Sequence, residues 1–232
     1  PLVVALLTPL GGAAPVIGMA VAYLISALLV PGATAVRARP GRRPPLGSIA
    51  SWLVSAFAFG HLLSTIEVAS LPLGQRVGGG TATAVVVVAV LTGASVAGAG
   101  LYAWLGPRLT VDRRIRAVLF LLGMAGGAVL VAFGGTWPLL IAGLVTVGVC
   151  TGPLNTTMSM HLQATLPEER RAEGFGLVFT CQGAGFALGA LSVSALPLVA
   201  AALLGALSAV AAALLIAVRL SRSPVAIAVT VE

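Results

Sequence analysis

The chain has no lysine, and charge of either sign is scarce: acidic and basic residues make up 8% of its 232 positions, against about 25% in soluble domains. A fold surrounded by water needs polar outer faces, so this scarcity excludes an ordinary soluble domain. The two cysteines, Cys150 and Cys181, fall inside apolar runs. They form neither a disulfide framework nor a zinc spacing, and they read as buried thiols. No metal or cofactor is expected. The apolar runs hold no H-E-x-x-H motif and no paired acids, which argues against an intramembrane enzyme, and no catalytic residue is assigned. No basic leader segment or cleavage site precedes the first apolar run, which opens directly at Pro1. The chain reads as the continuation of something longer.

What is abundant is apolar surface. Hydrophobic residues make up 59% of the chain, with 29 glycines and a mean hydropathy of +1.10. Glycine is more frequent in membrane helices than in soluble ones, and the expectation is an all-α integral membrane protein. The stretch Gly152–Leu191 shows the plan. Two apolar, glycine-dotted arms without charge flank the elbow LPEERRAEG, which holds Glu168, Glu169, Arg170, Arg171 and Glu173. Charge confined to the turn is what two arms in hydrocarbon and one wet connection require.

Each crossing needs about 20 apolar residues. Leu2–Leu10 is too short and reads as the end of a helix. Ala13–Val30 is the first complete span. Pro31–Ser48 carries Arg37, Arg39, Arg42, Arg43 and several prolines, which forbid a membrane helix. The further spans are Ile49–Leu71 (ending at Pro72, before a loop), Thr81–Leu105, Ala117–Phe133, Trp137–Gln163, Gly174–Leu196 and Pro197–Val218. The sum is seven complete transmembrane helices plus a fragment of an eighth. The expected organisation is a first segment (1–30), a wet linker (31–48), a six-helix bundle (49–218) and a tail (219–232).

With this count, alternate connections share a side. One side receives Arg37, Arg39, Arg42, Arg43, Arg108, Arg113, Arg114, Arg116, Arg170, Arg171, Arg219 and Arg222; the other receives Arg76 alone. A single missed span would scramble that asymmetry. The arginine-rich side is therefore expected to be cytoplasmic, with the C-terminus, in a multi-pass protein of the cell membrane. A net charge of +7 can also signal nucleic acid. Here the arginines cluster between apolar runs, so the lipid bilayer is the expected partner and nucleic acid is not.

Six spans after a long basic linker, the elbow HLQATLPEERRAEGFGLVFTCQGAGFALGAL and AYLISALLV in the first span together resemble the major facilitator superfamily, and within it bacterial exporters. A degraded relative of that superfamily's loop motif, G-x-x-x-D-R-x-G-R-R, lies at Gly106–Arg116. Asp112, Arg113 and Arg116 match, but Asp112 follows Gly106 by six residues rather than four, and the inner glycine is absent. The resemblance implies that 1–30 is the remnant of an N-terminal bundle (the end of helix five, and helix six). It likewise implies that 49–218 is the C-terminal six-helix bundle, helices seven to twelve. It also implies alternating access with substrate near the midplane, and a missing N-terminal half of the same protein as partner.

Candidate site residues follow from polarity within the spans. Glu67 is the one acid inside a predicted span, and a carboxylate in hydrocarbon normally faces a cavity or a partner. Steps of three place His61, Ser64 and Glu67 on neighbouring positions of one face, drifting by about 60° per step. They read as a proton or substrate pathway, or else as an interfacial glutamate paired with Arg76 and a hydrogen-bonded histidine. Asn155 and Thr156, with Thr157 and Ser159, follow Gly152-Pro153. They read as a binding patch beside a kinked helix, or as interhelical hydrogen bonding. Gln182, read with the substrate or proton pathway, lies by the small-residue pair Gly185/Gly189; Gly93/Ala97 and Gly123/Gly127 are similar pairs, expected to pack helices closely. Asp112, Arg113, Arg116, Glu168, Arg170 and Arg171 read as a cytoplasmic gate of weak ion pairs or as solvated turns.

The function these residues and the resemblance imply is proton-coupled export of a small apolar or amphipathic compound. Aromatics at 5% argue against a sugar porter. Import of a small organic solute and a non-transporting membrane remnant are the alternatives.

Overall fold

The computed structural model describes residues 46–221. In hydrocarbon each segment must satisfy its own backbone hydrogen bonds, and the apolar runs accordingly become helices. They are α1 (Leu46–Val68), α2 (Ser70–Arg76), α3 (Ala82–Leu105), α4 (Arg113–Phe133), α5 (Trp137–Thr165), α6 (Arg171–Ala195) and α7 (Leu198–Ser221), with no strand among the described residues. All except α2 contain a stretch long and apolar enough to cross a membrane. The expectations for Leu2–Leu10, for Ala13–Val30, for most of the linker and for the tail beyond 221 lie outside the described residues.

Three of the boundaries that differ from expectation have a local reason. The run from Ile49 does not continue to Leu71: α1 ends at Val68, and Ser70–Arg76 forms the short α2 where a loop is expected. Pro72 is tolerated there because it stands in the first turn, where backbone N–H groups have no intrahelical partner anyway. Four residues earlier than expected, α4 begins at Arg113. The Asp112 carboxylate caps it, accepting from the Arg114 backbone N–H at 2.6 Å. Finally, α6 begins at Arg171, after a 3-10 turn at Glu168–Arg170.

Helices apolar all round do not announce which face packs; glycine decides it. On α6, a Cβ at Gly185 would strike the Phe57 carbonyl, and one at Gly189 the His61 carbonyl. Rising along α6 thus means rising along α1, so the two run parallel. Between α3 and α5, Gly148 abuts Leu91 and Ala94, and Gly152 abuts Ser95 and Ala99; they too are parallel. Gly127 meets Gly143 and Val147, while Gly123 meets Cys150, so α4 and α5 are antiparallel. Gly93, by contrast, has nothing within 4 Å of a would-be Cβ. These close approaches leave dispersion as the main attraction between elements, as expected where lipid is as apolar as leucine.

Helix α1 packs mainly on α6 and α7, α5 on α3 and α4, and α4 on α7. Exchanging α1 with α5, α3 with α6 and α4 with α7 maps this pattern onto itself. The outermost members, α3 and α6, are the least buried of the long helices. With these directions, the starts of α1, α4 and α6 and the ends of α3, α5 and α7 share one end of the bundle. Arg108, Arg113, Arg114, Arg116, Arg170, Arg171 and Arg219 stand there; Arg76 stands at the far end. Its guanidinium donates to the Ala132 carbonyl at 2.7 Å, where the end of α4 carries partial negative charge.

Candidate functional site

The sectors of α1 are fixed by what each meets. Trp52 stacks on His161 of α5, ring centroids 4.3 Å apart. Phe57, His61 and Ser64 meet the α6 glycines, and Leu62 and Thr65 meet Gly205 of α7. At 100° per residue, Glu67 lies about 60° from the direction of Trp52 and about 60° on the other side of Ser64. It therefore points into the groove between the α5 side and the α6 side. There it is half-buried, with no hydrogen-bond or ion-pair partner among the described residues. Arg76, the expected alternative partner, donates to the Ala132 carbonyl at the end of α4.

The same two steps of about 60° turn His61 away from that groove. His61 is 1% exposed and lies in the seam where α1, α6 and α7 meet. Its Nδ1 is 3.1 Å from Ser208 Oγ and its Nε2 3.5 Å from Ser192 Oγ. Both serines give their single hydroxyl proton to backbone carbonyls, Ser208 to Gly205 and Ser192 to Leu188. With the Ser208 proton on the Gly205 carbonyl, Nδ1–H can donate to Ser208 Oγ. Thr65 donates to the His61 carbonyl at 2.7 Å. Ser64 is fully buried in the α6 seam, its hydroxyl without a partner.

On α5, Gly152 meets α3 and Val147 meets α4. Asn155 falls between these two sectors. It shares that inner side with the buried Leu144, Met158 and Leu162, yet is itself exposed, so its amide stands in an opening. Thr156 is turned a further 100° round, with its hydroxyl on the Gly152 carbonyl at 3.0 Å. Pro153 is buried inside a helix that continues past it. Gln182 is half-buried at the edge of the α1–α6 seam, its backbone carbonyl against Gly60.

The contacts also set the levels. The Trp52–His161 stack puts Asn155 near the level of residue 58 of the antiparallel α1, and the Gly60 contact puts Gln182 near residue 60. Glu67 is seven to nine residues farther from the basic end, roughly 11–14 Å along the axis. Glu67 thus lies on a level beyond those of Asn155 and Gln182.

At the basic end, Tyr102 (α3), Arg116 (α4) and Thr157 (α5) form a junction not anticipated from sequence. The Tyr102 hydroxyl accepts from Arg116 at 2.7 Å and from Thr157 at 2.8 Å. Its ring meets Phe120 edge-on, centroids 5.5 Å apart. A lone phenol within an otherwise apolar span was the available signal, because a buried tyrosine hydroxyl needs a partner. Asp112 caps α4, and Arg170 pairs with Glu173 at 3.4 Å. Arg113, Glu168 and Arg171 stand at the same end. Among the described residues, no group of three His, Cys, Asp or Glu side chains could hold a metal ion.

A family model described as Major Facilitator Superfamily matches residues 1–190, from the start of the chain into α6. Neither a curated protein nor a solved structure matches the chain. Six membrane-length helices among the described residues, arginines gathered at one end, and a family match over most of the sequence agree: this chain belongs to the Major Facilitator Superfamily of multi-pass membrane transporters.

Proposed function

We propose that the protein exports a small apolar or amphipathic compound by alternating access, driven by protons, with its arginine-rich end and C-terminus in the cytoplasm. What supports this reading is a half-buried acid, Glu67, on α1, with the exposed Asn155 of α5 and the half-buried Gln182 of α6 at levels nearer mid-helix. A half-buried carboxylate with no side-chain counter-ion among the described residues has two ways to lower its energy, a proton or a cation. A group with that choice can exchange one for the other across a transport cycle. Asn155 and Gln182 supply neutral hydrogen bonds near the midplane, where transporters of this architecture hold their substrates. His61 and Ser64 act from behind, in the α6–α7 seam, and Thr156 from the α3 side.

The basic end serves as the cytoplasmic gate. Asp112, Arg113, Arg116, Glu168, Arg170 and Arg171 gather on the turns that must part when the cavity opens inward. Exposed ion pairs contribute only about 0–1 kcal/mol each, which suits contacts that form and break every cycle.

The test is efflux from proteoliposomes with and without an imposed pH gradient. Export should accelerate when protons are available to flow in, and Glu67→Gln should abolish that acceleration. Efflux indifferent to the gradient, or a Gln variant still driven by it, overturns the proton-coupled reading. Proton-driven uptake in the opposite direction establishes the importer instead.

A further inference from the structure

We infer that the exposed edge where α3 turns into α4 is a binding surface for anionic phospholipid, with Trp104 and Arg108 holding the headgroup. The first observation is depth. The contacts of Gly98 with Val149 and of Tyr102 with Thr157 set α3 against the parallel α5. They put Trp104 about 20 residues from the level of Trp137, which opens α5, so the two side chains lie roughly 30 Å apart along the bundle. A hydrocarbon core has that thickness, and tryptophan collects at both of its borders. Trp104 is 64% exposed and is turned about 120° from Gly98, away from α5. Beyond it Leu109, Val111 and Ile115 are exposed as well. Water disfavours such a run of apolar side chains at a turn, whereas the border of the acyl chains accepts it.

The second observation is charge. The Arg108 guanidinium lies over the Trp104 ring, 4.9 Å from its centroid, and donates to the Trp104 carbonyl at 2.9 Å. A guanidinium has five N–H donors in a planar fork that matches phosphate oxygens. The ring and the carbonyl therefore hold Arg108 in place and leave it donors to spare. Arg113 and Arg114 follow at the start of α4, and the neighbouring acid, Asp112, has its carboxylate on the Arg114 backbone N–H. A headgroup with one negative phosphate and no ammonium is attracted by all three arginines. A zwitterionic headgroup brings its own cation into the same field and loses most of that attraction. The surround decides the source of the phosphate: Trp104, Leu109, Val111 and Ile115 offer acyl chains a surface that a free phosphate cannot use.

The test uses the full chain with Trp137→Phe in phosphatidylcholine vesicles. Of the two remaining tryptophans Trp52 is 1% exposed, so a quencher carried by lipid reads Trp104. The probes are phosphatidylglycerol and phosphatidylcholine, each brominated near the carbonyl end of its acyl chains and each added as a minor component. The brominated phosphatidylglycerol should quench as though enriched about fivefold over brominated phosphatidylcholine at the same mole fraction. Arg108→Gln should lower that enrichment about threefold or more and leave quenching by brominated phosphatidylcholine unchanged. Equal quenching by the two lipids overturns the inference, and so does an enrichment that Arg108→Gln leaves intact. An equal loss from Arg219→Gln, at the same end on α7, overturns it too, because diffuse surface charge and not a site would then attract the lipid. Absence of quenching by either lipid does the same, and would mean that protein covers this face.

Discussion

A side chain's task in this bundle is set by which neighbour its direction meets, and Tyr102 shows the energetic stakes. Its phenol oxygen is shared by a guanidinium on α4 and a hydroxyl on α5. Tyr102→Phe keeps the ring against Phe120 but strands both donors in a place where water is scarce. The expected cost is about 1–3 kcal/mol of unfolding stability, measured by denaturant titration in mixed micelles. Adding Thr157→Val should recover part of it, because one stranded donor is then gone. Additive losses would show that the hydroxyl pair does not interact. The phenol signals that a partner exists but not which one, since Tyr102 and Thr157 are 55 residues apart and polar residues in a span carry no address. The face of His61, Ser64 and Glu67 was legible only by half. The spacing fixes their mutual angles, but two steps of about 60° are enough to move from a sealed three-helix seam to an open groove. Only the positions of α5, α6 and α7 tell which is which.

At the scale of the helix, the same limit decides which small residues matter. Lipid and protein interior are both apolar, so a membrane helix has little amphipathic pattern to reveal its packed side. Gly185/Gly189 and Gly123/Gly127 do lie at close approaches, whereas Gly93/Ala97, with the same spacing, leaves Gly93 facing open space. The approach that holds α3 runs through Gly98, Gly148 and Gly152 instead. The consequence is a sharp contrast within one helix. A methyl at Gly185 meets the Phe57 carbonyl, and backbone has to move; a methyl at Gly183 meets nothing within 4 Å. Gly185→Ala should therefore lower stability by about 1–3 kcal/mol, while Gly183→Ala stays within about 0.5 kcal/mol of the parent. Equal effects of the two would mean that α6 does not lie on α1 through this stripe. Boundaries were easier to foresee than faces, because charge and proline mark where hydrocarbon ends. The exception at α4 is instructive: Arg113–Arg116 are helical because Asp112 caps them, and a helix can extend past the membrane wherever its end is satisfied.

For the whole molecule, one geometric fact organises the rest: six antiparallel crossings put seven arginines of the described helices and turns at one end and Arg76 at the other. Arginine near a span resists translocation, so the crowded end is expected to remain in the cytoplasm. That orientation decides what the groove does, because it places Glu67 nearer the outer opening and the Tyr102–Arg116 junction nearer the inner one. It is tested by single cysteines in a background carrying Cys150→Ala and Cys181→Ala. Gly80 is the better outer position than Gly78, since Gly78 has φ +80°, a conformation that side chains resist, whereas Gly80 has open space around it. Ala172, exposed at the start of α6, is the inner one. A membrane-impermeant maleimide should label Gly80→Cys in intact cells and Ala172→Cys only after permeabilisation. Labelling of both from outside would mean that a crossing has been miscounted, and reversed labelling would turn the transport cycle upside down. In the second case the carboxylate would lie nearer the cytoplasm and the Tyr102–Arg116 junction nearer the outside, so protons entering down their gradient would reach Glu67 from the far side of the groove.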